Sequence, residues 1–319
     1  MKLFKSALPI FIVFQDDCIR YVTMKSQSPL VIHKIGETKL PAGIIQKGRI
    51  LDKHALTKIV TSCVNNWKMK GKKVRFAIPD AISFIRKIPI PSTIPEKELD
   101  GYIQVELGAT IHVPFDEPVF DLHKLKEEEE HIDYLLFAAP EAVMKDYMEV
   151  LNDAKLKPLD AELSSLAIYR LYYHLELVDP AKRYLLLNLE RDGINGSAFY
   201  QHSPMFTRFI SLNTIGQFSA NEDHDFFDID GRWNEVTTEL GRIMNFYQFS
   251  LSDGAEFDAI LVSGDHPQYE AFIEKVESEY DMKVIQIPEE KVKLERGLDV
   301  QREFFTTVGL GLRGSHRAG

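Results

Sequence analysis

Residues 10–35 read IFIVFQDDCIRYVTMKSQSPLVIHKI, and this stretch decides the fold of the first part of the chain. Short runs of β-branched, aromatic and other apolar side chains alternate here with polar turn residues, a pattern typical of strands joined by tight turns. The stretch predicts three consecutive strands at 10–14, 19–24 and 30–35, paired as an antiparallel meander. The first run follows Lys2 and Lys5 and imitates a signal peptide, but it is short and is interrupted by Asp16 and Asp17. We therefore interpret it as a buried strand.

A second meander is predicted by residues 184–210, with strands at 184–189, 196–200 and 205–210. Amphipathic helices follow both meanders, because apolar residues recur every three or four positions at 56–67 and again at 233–247. Further strands are predicted at 259–262 and 283–287, with a helix between them. The organisation is thus duplicated, which predicts an α/β protein of two similar lobes.

A second block in the first half carries further strands and helices. Strands are predicted at 74–78, 84–90, 119–125 and 132–138, and the acidic run 127–130 is the turn between the last two. Helices begin near Pro95 and Pro140, where proline suits the first turn because its missing N–H has no helical partner there. The block therefore predicts further strands and helices between the two meanders.

Composition excludes several classes of protein. The 319 residues are 45% hydrophobic and 27% charged, which is enough chain for two packed lobes. The net charge of −10 argues against a nucleic-acid partner. Cys18 and Cys63 have no metal-ligand spacing, so neither a zinc site nor a disulfide is predicted, and isolated cysteines fit a reducing cytosol. No apolar run reaches about 18 residues, so we expect no membrane span.

Blocks in order along the chain resemble the PilM family of type IV pilus assembly proteins, which is actin-like and related to the division protein FtsA. The blocks are LPAGIIQKGRILD (40–52), AIPDAISFIRKIPIP (77–91), ELDGYIQVELGATIHVPF (98–115), FTR (206–208), ELGRIMNFY (239–247) and VGLGLRG (308–314).

The resemblance implies an actin-like (ribonuclease H-like) fold with an FtsA-type 1C insertion. Subdomain 1A is expected at 1–73 and 155–180, 1C at 74–154, 2A at 181–213 and 258–319, and a short 2B at 214–257. It also implies a cytoplasmic protein held at the inner face of the cell membrane through its partners. These partners would be other pilus platform proteins and a PilN-like membrane protein, whose short cytoplasmic tail is bound in a groove between 1A and 1C.

Whether nucleotide binding is expected depends on the residues in the three turns with which actin-like proteins hold ATP and Mg²⁺. Glycine there lets backbone N–H groups approach the phosphates. The first turn contains Asp16 and Asp17 and lacks the family's glycine. In the second, Asn188 replaces an aspartate and Glu190 replaces a glycine.

In the third turn, Gly264 is followed by Asp265 in place of a second glycine. These departures predict weak or no ATP binding, no metal site and no catalysis. The alternative is an actin-like ATPase that regulates pilus assembly, with its pocket lined by Asp16, Asp17, Asn188, Gly264 and Asp265.

The partner surface is predicted in the inserted block, on strand 84–90, helix 96–110 and segment 112–115. Core packing is an alternative explanation for two of the candidates, Ile103 and Leu107. A net charge of −10 favours a tail that carries Arg or Lys. The candidate partner-binding residues are Phe84, Ile88, Ile103, Leu107, Val113 and Phe115.

The remaining sequence patterns predict neither a metal site nor a catalytic site. The acidic stretch 222–231 resembles a calcium loop, but aligning Gly231 with the loop glycine puts Phe226 and Thr237 where carboxylates are needed. It is therefore predicted to be a solvated loop. Histidines are dispersed, no GxSxG occurs, and no feature supports a small-molecule sensor in the interlobe cleft. Gly314-Ser315-His316 has the composition of a remnant of cloning.

Overall fold

The computed structural model describes residues 8–212 and 229–313, with side chains in the second range from residue 232. Within these ranges the strands are β1 (Ile10–Phe14), β2 (Cys18–Gln27), β3 (Leu30–Lys39), β4 (Ile45–Gln46), β5 (Arg49–Ile50), β6 (Lys73–Ile78), β7 (Phe84–Pro91), β8 (Pro118–Glu127), β9 (His131–Pro140), β10 (Lys157–Leu163), β11 (Arg183–Leu189), β12 (Gly193–Tyr200), β13 (Ser203–Ser211), β14 (Ala259–Gly264) and β15 (Lys283–Gln286). The helices are α1 (Lys53–Asn66), α2 (Leu99–Glu106), α3 (Glu141–Asp153), α4 (Ser164–His174), α5 (Ile229–Ser250), α6 (Tyr269–Glu279) and α7 (Phe305–Gly311).

The first lobe is a five-stranded sheet in the order β10-β6-β1-β2-β3. β1, β2 and β3 form the predicted antiparallel meander, and β6 and β10 continue the sheet in parallel with β1. β1 is buried along its whole length because helices cover both faces of the sheet, which is why its sequence is a continuous apolar run. Ile10, Ile12 and Phe14 face α1 and α3, whereas Phe11 and Val13 face α4 and α7.

The second lobe repeats this topology in the order β13-β12-β11-β14-β15. β11, β12 and β13 form the second predicted meander, and β14 and β15 run parallel to β11. Leu185, Leu187 and Leu189 face α5 and α6. Tyr184 and Leu186 point to the other side and join the core that contains α4 and α7. These two helices therefore lie between the sheets of both lobes.

The insertion is a three-stranded antiparallel sheet, β7-β9-β8, with α2 on one face. Its limits differ from the predicted 74–154. β6 pairs with β1 and β10, and α3 contributes Tyr147 and Leu151 to the core of the first lobe, so both belong to that lobe. The separate sheet begins at Phe84 and ends at Pro140. The sequence could not separate them because strands of either sheet carry the same local pattern.

Two predictions lie partly or wholly outside the described residues. Subdomain 2B, expected at 214–257, is described only from the start of α5 at Ile229. The acidic stretch 222–231 and the triplet 314–316 lie largely or wholly outside the described ranges.

Gly309 sets the distance between α7 and α4. A Cβ atom at this position would lie 1.9 Å from the carbonyl oxygen of Ala167. Such a contact cannot be relieved by a rotamer change, because the obstacle is backbone. The GLGL pattern near the C-terminal end of the chain is therefore a packing requirement of the core between the lobes.

We expect Gly309→Ala to lower the free energy of unfolding by about 1–3 kcal/mol, because the two helices must separate to admit the methyl group. Gly241→Ala is the matched control. Its Cβ would meet only the Tyr280 hydroxyl at 3.8 Å, and alanine favours the helix by up to about 1 kcal/mol. Urea unfolding measures both. Equal stability of the two variants would contradict this account of α7.

Candidate functional site in the cleft between the lobes

Three turns meet where the two lobes face each other. They are the β1–β2 turn with Asp16 and Asp17, the β11–β12 turn with Glu190, and the segment after β14 with Asp265. Side chains bridge them, since Arg20 of β2 lies 2.6 Å from Asp265 and Asp17 lies 3.0 Å from Arg191. The structure thus brings together the residues that the sequence singled out for a nucleotide site.

Arg20 is the centre of this cleft. Its side chain is only 5% exposed, and its Nη2 lies 2.6 Å from an Asp265 carboxylate oxygen. Its Nε donates to Glu37 at 2.6 Å, and its Nη1 donates to the side-chain oxygen of Gln15 at 2.7 Å. Burial opposes charge on both partners. The hydrogen bonds from Arg20 and Lys39 nevertheless lower the pKa of Glu37, and Asp265 raises the pKa of Arg20. Arg20 is therefore a buried cation held by carboxylates from both lobes.

Asp16 and Asp17 are engaged by protein groups. The Asp16 carboxylate accepts hydrogen bonds from the backbone N–H groups of Lys47 at 2.5 Å and Gly48 at 3.0 Å, which ties the first turn to the β4–β5 hairpin. Asp17 pairs with Arg191 at 3.0 Å and with Lys39 at 3.7 Å. Among the side chains that the structure describes, no group of three or more His, Cys, Asp or Glu is arranged to hold a metal ion.

A second set of acids lies deeper in the cleft. Ser164 donates a hydrogen bond to Asp80, and the Asn188 amide donates to Asp80 at 3.4 Å and to Glu190 at 2.9 Å. Burial raises the pKa of Asp80, and burial together with the neighbouring carboxyls raises that of Glu190. The same causes raise the pKa of Asp192 to about 7. A bound phosphate chain would add negative charge to an environment that already disfavours it.

Gly264 has a structural reason for being glycine. Its φ is +128°, and a Cβ there would lie 1.9 Å from the carbonyl oxygen of Leu189. The same oxygen accepts the backbone N–H of Asp265 at 3.0 Å. The close approach of β14 to β11 therefore explains this glycine without a bound phosphate.

A separate groove lies between the insertion and the first lobe. It encloses about 290 Å³ and is mostly apolar. The edge strand β8 forms one wall, and β10 with the start of α4 forms the other. Its lining comprises Ile78, Val119, Phe120, Asp121, Phe137, Ala138, Ala139, Met144, Ala161, Glu162, Leu163, Leu166 and Arg313.

The predicted partner-binding residues lie elsewhere in the insertion. Ile88 and Ile103 are buried in its core, and Leu107 and Val113 pack against that core. Phe84 and Val113 line a different cavity, between the insertion and the second lobe. Phe115 is partly buried. None of the six lines the groove beside the first lobe.

The sequence profile of the family described as type IV pilus assembly protein PilM matches residues 14–184, more than half of the chain. The chain belongs to the PilM family. The solved structure described as the "PilM-PilN type IV pilus biogenesis complex" superposes with a TM-score of 0.76 and 17% identity, covering 97% of this chain and 98% of that one. The ethanolamine utilization protein EutJ from Carboxydothermus hydrogenoformans gives a TM-score of 0.52 and 10% identity, covering 98% and 94%. No curated protein sequence matches the chain.

The fold of this PilM-family chain is the actin-like, ribonuclease H-like α/β fold that the sequence predicted. Each lobe carries the same five-stranded topology, as the duplicated meanders required. Among the described residues no helix is both long and apolar enough to cross a membrane.

Sequence reasoning missed Arg20, Asp80 and Ser164. An arginine inside an otherwise buried strand between Ile19 and Tyr21 is itself a signal, since charged residues are almost never fully buried unless paired. The identity of its partner could not be found this way, because Asp265 lies in the other lobe. Asp80 gives a weaker signal, following a strand and a proline where a turn carboxylate is ordinary.

We expect Arg20→Met to lower the free energy of unfolding by about 3–5 kcal/mol, because it leaves Asp265 buried without a cation. Arg20→Met combined with Asp265→Leu should recover most of that loss, since it removes the unpaired charge as well.

The matched control is Lys53→Met, which removes an exposed pair with Asp146 and should change stability far less than Arg20→Met, because exposed ion pairs contribute little. Urea unfolding measures all three variants. An effect of Arg20→Met as small as that of Lys53→Met would show that the cleft pair contributes little.

Proposed function

We propose that this PilM-family chain is a non-catalytic scaffold of the type IV pilus assembly platform, and that it binds the cytoplasmic tail of a PilN-like membrane protein. The observation that carries the proposal is the apolar groove between β8 and the first lobe. It lies between the parts corresponding to subdomains 1A and 1C, where the family resemblance places the tail. The matching structure of PilM with PilN supports the choice of partner.

The groove suits an extended peptide. β8 is the edge strand of the insertion sheet, so half of its backbone N–H and C=O groups face away from β9 and can pair with an added strand. Val119 is 38% exposed on this strand, and Leu163 and Leu166 lie on the facing wall. Apolar side chains of a tail would bury against these three residues.

The polar groups of the groove differ in how they are engaged. Glu162 is buried and bonded by Arg170, and Asp160 beside the groove pairs with Arg75 and Arg313. Asp121 is exposed on β8 and accepts only the neighbouring backbone N–H of Leu122 at 2.9 Å among the described hydrogen bonds. Asp121 is therefore the carboxylate best placed to receive a basic side chain of the tail.

Binding such a tail would place the chain in the cytoplasm, at the inner face of the cell membrane. Other pilus platform proteins would bind elsewhere on its surface. The division into 1A, 1C, 2A and 2B belongs to this proposal, with 1C reduced to the sheet that runs from Phe84 to Pro140.

The non-catalytic part of the proposal is supported by Arg20 and Asp265. Their ion pair lies between the turns that would hold phosphates, and the acids around it have raised pKa values or protein partners. A regulated actin-like ATPase is the second candidate function, favoured by the convergence of the three turns at one cleft.

We expect Val119→Arg to weaken binding of a synthetic PilN-type tail peptide at least tenfold, about 1.4 kcal/mol, because it removes an apolar contact and adds a charge like that of a basic tail. Val105→Arg is the matched control, since Val105 is 74% exposed on α2 away from the groove. Fluorescence anisotropy measures the affinity, and thermal melting confirms the fold.

Phe84→Ala, measured with the same peptide, tests the predicted block 84–115 independently. Unchanged affinity of a folded Val119→Arg protein would show that the tail does not bind in the groove beside the first lobe. A loss of affinity confined to Phe84→Ala would show that the tail binds in the other cavity.

Isothermal titration calorimetry separates the two candidate functions. We expect no heat of binding from Mg-ATP at concentrations up to about 1 mM, which corresponds to less than about 4 kcal/mol of binding free energy. Micromolar binding that is lost on adding EDTA would instead establish a metal-dependent nucleotide site, overturn the prediction of weak or absent ATP binding, and favour the second candidate function.

A further inference from the structure

A second groove, larger than the one beside β8, lies between the insertion and the second lobe. It encloses about 710 Å³ between residues 84–87 of β7, segment 112–114, residues 205–208 of β13 and the C-terminal half of α5. We call it the α5 groove. The proposed tail site does not include it, and the walls of the two grooves share no residue.

α5 carries two exposed aromatic side chains, of which Phe246 lines the α5 groove and Phe249 lies outside its lining. Phe246 is 48% exposed and contacts Phe206 edge-to-face at 5.5 Å between ring centroids. Phe249, one turn further along the same helix, is 75% exposed. Two exposed phenylalanines beside an apolar groove are typical of a protein-binding surface and not of a surface that faces only water.

The rim of the α5 groove is basic on a chain whose net charge is −10. Lys87 is balanced by Asp133 at 2.7 Å. Arg208 and Arg242 share the single carboxylate of Glu239.

Arg86 is exposed and donates only to the backbone oxygen of His112, at 3.4 Å, among the described contacts. The rim therefore carries more positive than negative charge and favours an occupant that has carboxylates beside apolar side chains.

The chain itself contains a segment of this chemistry. Residues 222–228 read EDHDFFD, with four carboxylates and two adjacent phenylalanines. They precede α5, which begins at Ile229. Phe246 lies 17 residues further along that helix, about 25 Å from its start at 1.5 Å per residue. The part of α5 that lines the groove therefore lies about 25 Å from the residue at which the helix begins.

We propose that the α5 groove of one molecule binds residues 222–228 of a second copy of this chain. The phenylalanines of the segment enter the apolar groove, and its carboxylates meet Arg86 and the Arg208–Arg242 pair. Because the groove and the segment are different surfaces, the contact is heterologous. After two molecules bind, one still has an unoccupied groove and the other an unbound segment. Further molecules can therefore add at either end, which gives open head-to-tail chains. The proposal does not depend on the tail site or on nucleotide.

Sedimentation velocity of the full chain over about 1–200 µM, a range chosen to bracket affinities typical of transient contacts, tests this assembly. We expect the weight-average sedimentation coefficient to rise with concentration. Arg86→Glu in the groove, or Phe226→Ser with Phe227→Ser in the segment, should each weaken assembly about tenfold or more. Arg296→Glu, an equal charge change at an exposed site outside the groove, should leave assembly unchanged.

The decisive sample is an equimolar mixture of the groove variant and the segment variant. Each alone lacks one half of the contact, but together they retain one intact groove and one intact segment, so the mixture should form dimers and nothing larger. A wild-type chain that stays monomeric throughout would overturn the proposal. So would assembly lost in the groove variant and kept in the segment variant, because that result assigns the groove another occupant. Circular dichroism melting shows that each variant is folded.

Discussion

The two lobes are joined at their cleft by one buried cation, the guanidinium of Arg20, which is held by Asp265 of the second lobe and Glu37 of the first. Removing such a charge from water costs several kcal/mol, and its geometry must recover that cost through hydrogen bonds. Arg20 meets the requirement by donating to three acceptors, Glu37, Gln15 and the backbone oxygen of Glu303 just before α7, and by its close ion pair with Asp265. This side chain therefore links the two lobes to each other and to the segment that leads into α7.

The same side chain connects the architecture to the proposed role. In an actin-like fold the cleft is the place where a phosphate chain would change the relation between the lobes. Here that place is spanned by an ion pair internal to the protein, with Asp80, Glu190 and Asp192 around it. In the proposed scaffold role, lobes held by the chain's own side chains would keep the outer surfaces in one arrangement. Constant surfaces are what a scaffold needs in order to hold several partners at once.

The sequence predicted what depends on local pattern. β1 and β11 are buried on both faces, so their apolar runs marked the centre of each lobe, and the polar turns between strands marked the meanders. The boundary of the insertion was wrong at β6 and α3, because membership of a sheet depends on which distant strand is paired. Site residues divided in the same way. Asp16 and Gly264 were singled out from turn motifs, whereas the partner of Arg20 and the residues that line the groove beside β8 depend on contacts between elements distant in sequence.

The position of α4 and α7 has a consequence for how the molecule melts. Both helices pack against the sheet of the first lobe and that of the second, and Tyr172 of α4 donates to the backbone oxygens of Val262 and Ile285 at 2.7 and 3.1 Å. Neither sheet can lose these helices without exposing the inner face of the other. The two lobes therefore form one cooperative unit, and their central amides should exchange with solvent through the same global opening. The insertion has its own core around Ile103 and can open separately.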